Sequence, residues 1–127
     1  LKIDHIYSSD LKRAHQTAAK VATNWPGMPV KTDARLRERD IPDESFPDAC
    51  RRWKDVFNEI IVPLDGDILI VAHDGPVRYL VSTALGIPYT ETPLNVGAFD
   101  LDNCGLCHLQ YNQGHWKTRF INRRADI

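Results

Sequence analysis

Ile68-Leu69-Ile70-Val71-Ala72-His73-Asp74-Gly75-Pro76 is the stretch whose reading decides the fold class. Its first five residues are apolar, three of them β-branched, and none alternates with a polar neighbour. Such a run reads as a central strand covered on both faces, the mark of a parallel sheet. Pro76 stands where the first turn of a helix tolerates it. Val77, Leu80, Val81 and Ala84 then give that helix an apolar face, and Gly86 is its natural C-cap. The stretch is therefore read as strand, turn and helix.

The same alternation extends outward in both directions. Upstream, Trp53, Val56, Phe57, Ile60 and Ile61 repeat at i, i+3, i+4, i+7 and i+8, which predicts a helix capped by Asp48 and ended by Pro63, with a turn at Asp65-Gly66. Ile3 to Tyr7 reads as a short strand. Ser8-Ser9-Asp10 offers three N-capping residues, and a helix from Leu11 carries Leu11, Ala14, Ala18, Val21 and Ala22 on one stripe until Pro26-Gly27 breaks it. Val30 to Thr32 reads as another strand, and Ile41 to Pro47 as a loop. Downstream, Val96 to Leu101, Cys104 to Tyr111 and His115 to Ile121 read as strands joined by turns at Asp102-Asn103 and Asn112-Gln113-Gly114. Strand and helix alternate, so the expected architecture is α/β with a mostly parallel sheet and a hairpin-linked edge, in a single domain over residues 1–127.

Composition narrows the function classes. Sixteen Lys+Arg against 17 Asp+Glu leave a formal charge of -1, so there is no basic excess to bind nucleic acid or an anionic membrane surface. No apolar run approaches the ~20 residues of a membrane span. Three cysteines cannot all pair with one another, which points to a reducing, cytoplasmic setting or to incidental thiols and not to a disulfide framework. Cys104-Gly105-Leu106-Cys107-His108 has the spacing of haem attachment, but within a strand its two cysteines fall on opposite faces. No second cysteine pair supports a zinc site, and Arg119, Arg123 and Arg124 read as a solvated basic tail. Trp25, Trp53 and Trp116 read as packing. The chain opens at Leu1 with its lone methionine at Met28, which is read as a trimmed chain or a piece of a longer one.

Open α/β sheets bind ligands beyond the C-terminal ends of their strands. Two places here combine that position with useful chemistry. One is Ser8 to Arg13, where a strand feeds a helix N-terminus that favours anions and Arg13 can grip a phosphate through two parallel hydrogen bonds. On their own, these residues read rather as a capped helix with a solvated arginine. The other is His73, able to serve as base, clamp or nucleophile, with Gly75 letting a backbone approach a ligand. Alone, His73 reads equally as a strand-end histidine bonded to a carbonyl. Glu38, between Arg37 and Arg39, reads alone as one acid of a solvated charge cluster.

Taken together, Tyr7-Ser8-Ser9-Asp10-Leu11-x-Arg13-Ala14-x-Gln16-Thr17-Ala18, Leu36-x-Glu38 and Ile70-Val71-Ala72-His73-Asp74-Gly75-x-Val77-Arg78 resemble the histidine phosphatase superfamily, the phosphoglycerate mutase-like group. The resemblance implies a three-layer α/β sandwich whose first strand and helix precede this chain. It also implies metal-independent phosphoryl transfer through a phosphohistidine, with no cofactor. By resemblance Arg13 binds the phosphate, His73 holds the phosphoryl group beside the nucleophile, Glu38 protonates the leaving group and the Asp74 N–H meets a phosphate oxygen.

The family nucleophile is a histidine in Arg-His-Gly, and this sequence contains no Arg-His-Gly. His5 lies inside its strand and does not substitute for it. The chain is therefore expected to be part of a longer enzyme, to be completed by a partner chain or homodimer supplying the missing strand, or to bind a phosphorylated ligand or protein without turnover. Expected partners are a phosphorylated small molecule or a phosphoprotein. Asp74, where the family commonly has a small or neutral residue, would be unfavourable beside a phosphate if its side chain pointed inward.

Overall fold

The computed structural model describes residues 2–91, 105–112 and 115–124. Its elements are β1 (His5–Ser8), α1 (Lys12–Ala22), β2 (Val30–Thr32), a 3-10 turn (Ala34–Leu36), α2 (Phe46–Val56), a π-helical turn (Phe57–Ile61), β3 (Ile68–Val71), α3 (Asp74–Leu85), β4 (Gly105–Asn112) and β5 (His115–Arg124). The fold is α/β. The chain forms two compact units, Leu1–Val77 and Arg78–Ile127.

In the first unit, β1, β2 and β3 form a parallel sheet in the order β2-β1-β3. Ser8 stands level with Thr32 on one side and Val71 on the other, so all three strands end together. Among the described residues, β1 occupies the middle of this sheet and β3 is an outer strand with all four residues half-buried. Among the described residues the expected central run Ile68–Ala72 pairs with β1 along one side. The unit's core gathers Ile6 from β1, Ala14 and Ala18 from α1, Leu36, and Ala49, Trp53 and Val56 from α2. α1 presents small alanines inward, so its backbone can approach the sheet closely.

Two helix starts differ from expectation. Ser8, Ser9 and Asp10 do not cap α1. Its N-cap is Leu11, with no side-chain cap: the buried Ser8 hydroxyl donates to the Ser9 carbonyl, and buried Ser9 Oγ takes the N–H of Leu11 itself and not one inside the helix. α2 is capped by Ser45 and not by Asp48: the Asp48 N–H donates to Ser45 Oγ at 3.2 Å. Pro47 lies inside its first turn and not in a loop, since that position needs no N–H donor. At the far end, the Val62 N–H reaches back to the Phe57 carbonyl at 3.0 Å. This wider turn rotates the apolar stripe, leaving Ile60 and Ile61 only half-buried.

α3 begins in the first unit and continues into the second. Pro76 sits in its first turn, as read from sequence. Gly86 ends it at φ +71°, with Gly86 N–H on the Thr83 carbonyl (3.2 Å) and Ile87 N–H on the Ser82 carbonyl (2.8 Å). That is a Schellman ending, which glycine makes without strain. β4 and β5 pair antiparallel from Gly105↔Arg124 to Asn112↔His115, with the register shifting on both sides of His108. The expected strand Val96–Leu101, the turn Asp102-Asn103, Cys104, and Gln113-Gly114 of the last turn lie outside the described residues, as do the side chains of Cys107, His108, Arg119, Arg123 and Arg124.

Candidate active site

The site forms where the parallel strands end. The Ser9 N–H donates to the Val71 carbonyl at 3.0 Å, and the Asp33 N–H to the Ser8 carbonyl at 2.9 Å. These bonds carry the sheet's alignment one step past the strands, fixing Ser9 and the start of the segment that leads to Glu38. His73 follows β3 by two residues, Arg13 lies in the first turn of α1, and Glu38 follows the 3-10 turn after β2.

His73 is half-buried, and its Nε2 lies 2.9 Å from Ser9 Oγ. Ser9, fully buried, also accepts the Leu11 N–H at 3.2 Å. Among the described residues Nδ1 of His73 has no hydrogen-bond partner. Burial holds the imidazole below its ordinary pKa, and the positive charge of Arg13 acts in the same direction; the charge of Glu38 opposes them. His73 therefore lies within electrostatic reach of both, and its neutral form is favoured. Arg13 is exposed, and among the described residues no carboxylate pairs with it.

Glu38 is not an acid in a solvated cluster. It is half-buried; its Oε2 accepts the Gly75 N–H at 2.9 Å and its Oε1 accepts the Arg39 N–H at 3.0 Å. The arginines around it are engaged elsewhere. Arg37 makes a two-bond pair with Asp10 (2.7 Å each), which holds the Asp10 carboxyl below its usual range, while Arg35 bonds Asp33 and Glu59. Gly75 does not open space for a ligand backbone. The space beside it is filled by the Glu38 carboxylate, with Trp53 Cη2 3.0 Å from where a Cβ would stand. Asp74 opens α3 with an exposed side chain.

The structure thus draws together three residues far apart in the chain, at positions 13, 38 and 73, with Asp74 adjoining. Four further contributors were not singled out from sequence. Ser9 was read as a cap and Trp53 as packing, whereas Trp53, 1% exposed, also donates its Nε1–H to the Arg37 carbonyl at 3.1 Å. Arg52 and Glu44 carried no sequence signal. His5 stays in β1 with its Nε2 3.1 Å from the Asp65 carbonyl, away from this site. Among the described residues no three His, Cys, Asp or Glu side chains gather to hold a metal, and no helix is long and apolar enough to cross a membrane.

The model of the histidine phosphatase superfamily (branch 1) matches residues 1–43 and 41–124. The probable phosphoglycerate mutase GpmB of Yersinia enterocolitica is 29% identical, over 90% of this chain and 66% of that protein. Phosphoglycerate mutase-like protein 4 of Arabidopsis thaliana is 34% identical, over 58% of this chain and 36% of that protein. The chain thus spans about two thirds of GpmB and about a third of the plant protein. Among solved structures, the mycobacterial glucosyl-3-phosphoglycerate phosphatase with inorganic phosphate superposes with a TM-score of 0.80 at 22% identity, covering 99% of this chain and 80% of that one. The α-ribazole phosphatase of Shigella flexneri gives 0.79 at 21% identity, covering 98% and 76%. With its three motifs gathered at one strand edge and nearly its whole length matched, the chain belongs to the histidine phosphatase superfamily.

Proposed function

We propose that this chain supplies the phosphate-binding and proton-donating groups of a phosphoryl-transfer site that hydrolyses phosphomonoesters, with the nucleophilic histidine on a segment outside the chain. The observation that carries the reading is the approach of Glu38, His73 and Arg13, which pairs with no carboxylate among the described residues, at the C-terminal strand edge. The phosphatases and mutases among its relatives support it.

In this reading the Arg13 guanidinium binds two phosphoryl oxygens, and the Asp74 N–H, at the start of α3, binds a third. His73 lies against the phosphoryl group, with its ring held by Ser9. The nucleophilic nitrogen attacks phosphorus as the ester P–O bond breaks. Glu38 gives its proton to the departing oxygen, then takes one from the water that releases phosphate. Fixed cations and N–H donors spread over the transferring group supply the charge stabilisation without a metal. The substrate is a phosphorylated small molecule or a phosphoprotein, in a reducing cytoplasm, and a partner chain or second copy is a further source of the missing strand. A second reading is a non-catalytic module that binds a phosphorylated ligand or a protein partner.

The test is a phosphomonoester assay on the protein with its upstream segment present, in excess EDTA. Turnover that falls at least roughly 100-fold in His73→Ala and in Arg13→Ala supports the enzyme reading. Unchanged turnover in both variants refutes the site assignment, and activity lost to EDTA and restored by a divalent ion refutes the metal-free mechanism.

A further inference from the structure

Arg52, on α2, has its guanidinium engaged on every side. Nε and Nη2 donate to the two carboxylate oxygens of Glu44 at 2.6 Å each. Nη1 donates to the carbonyls of Arg35 at 3.0 Å and Arg37 at 3.1 Å, and Nη2 reaches the Glu38 carbonyl at 3.4 Å. Trp53, the next residue, adds its own bond to the Arg37 carbonyl. Glu44 in turn closes the loop after Glu38. Its N–H donates to the Asp40 carbonyl at 2.7 Å, its Oε1 accepts the Asp40 N–H at 3.1 Å, and its carbonyl accepts Arg39 Nε at 2.9 Å.

One planar group therefore binds three carbonyls that bracket the site acid, 14 to 17 positions earlier in the chain. Only arginine offers enough donors in a fixed plane to do this; a lysine ammonium is a single point. The pair is shielded, with Arg52 25% and Glu44 18% exposed, and the guanidinium holds the Glu44 carboxyl below its usual range. On the opposite side, the Glu38 carboxylate meets the N–H groups of Gly75 and Arg39. Its backbone is thus held from α2 while its carboxyl is held from α3. A proton donor must be fixed within hydrogen-bond reach of its acceptor, and the side chain of a free glutamate wanders over many rotamers.

We propose that Arg52 is a positioning residue: by drawing the carbonyls of Arg35, Arg37 and Glu38 onto α2, it sets the Glu38 carboxyl at the Gly75 N–H, in the geometry from which the leaving oxygen is protonated. The proposal rests on the proton-donor role of Glu38 given above. Amide spectra of the 127-residue chain test it without turnover. Glu38→Ala removes the acceptor and sets the full upfield displacement of the Gly75 amide proton. Arg52→Lys keeps the charge and the stem, and it moves that proton the same way by the greater part of that displacement, with β1 and β3 amides in place. A Gly75 resonance unmoved in folded Arg52→Lys overturns the proposal. Glu44→Gln leaves α2 intact but removes the charge that orients the guanidinium. It gives a smaller displacement of the same sign, and no displacement there overturns the proposal equally.

Catalysis gives a second readout in the protein completed with its nucleophile segment. Arg52→Lys loses roughly 100-fold on an alkyl phosphate, whose leaving oxygen needs a proton, and under about 5-fold on an aryl phosphate with an acidic phenol. Equal losses on both esters overturn positioning and leave a merely structural arginine. Wild-type protein inert on both esters refutes the phosphoryl-transfer reading and leaves the Gly75 measurement to decide the positioning.

Discussion

Replacing Gly75 by alanine tests the packing of the site most sharply, because two opposed effects act at one atom. Gly75 lies in the first turn of α3, where alanine is the better helix former by up to about 1 kcal/mol. The added methyl, however, would overlap Oε1 of Glu38 and stand 3.0 Å from Cη2 of Trp53. Trp53 is 1% exposed and bonded to the Arg37 carbonyl, so it cannot yield; Glu38 must swing away and leave the Gly75 N–H. Overpacking costs about 1–3 kcal/mol, and a lost hydrogen bond to a charged group costs a comparable amount. The cost exceeds the propensity gain, and the expected net loss is about 2 kcal/mol. Urea unfolding of wild type, Gly75→Ala, Glu38→Ala and the double variant reads this as a thermodynamic cycle. In the Glu38→Ala background the methyl meets only the indole, so the two substitutions together cost less than their sum by roughly 1 kcal/mol. A Gly75→Ala chain as stable as wild type, or strictly additive effects, would refute the assigned contact.

Three further outcomes follow from His73 and its neighbour. Its imidazole titrates below the ordinary 6.5 in the free chain because burial, with Arg13, disfavours the charged form. The unfolded chain then binds the extra proton first, so this group's contribution to stability is present above pH 6.5 and is lost as pH falls through the lower folded value. An imidazole NMR titration at or above 6.5 contradicts this. Phosphate bound beside the ring reverses the balance and raises the same titration, which repeating it in saturating phosphate checks. Ser9→Ala leaves His73 Nε2 without its partner in a buried setting and costs about 1–3 kcal/mol in urea unfolding; a cost within error of zero would show that the 2.9 Å contact does not hold the ring.

How much was legible in the sequence depended on whether a residue's partner was local. Ile68–Ala72 read as a strand and Gly86 as a helix end, because each signal lies within a few residues. His73 and Arg13 were legible by position, at a strand end and in a first helical turn. Ser45 outcompeted Asp48 as a cap by a geometry that the two residue types share. Arg52 was invisible for the same reason: most of its partners are backbone carbonyls, which every residue has. Gly75 read correctly as a place of close approach, but the approaching group is Glu38 and not a ligand.

The proposed function requires the strand-edge cluster to bind a phosphoryl group through Arg13. Calorimetric titration of inorganic phosphate into the 127-residue chain, alongside Arg13→Ala, tests it directly. The expected result is saturable binding to wild type that weakens with added salt, and at least roughly tenfold weaker binding to an Arg13→Ala chain of unchanged stability. Equal binding by both chains, or none by wild type at millimolar phosphate, contradicts it.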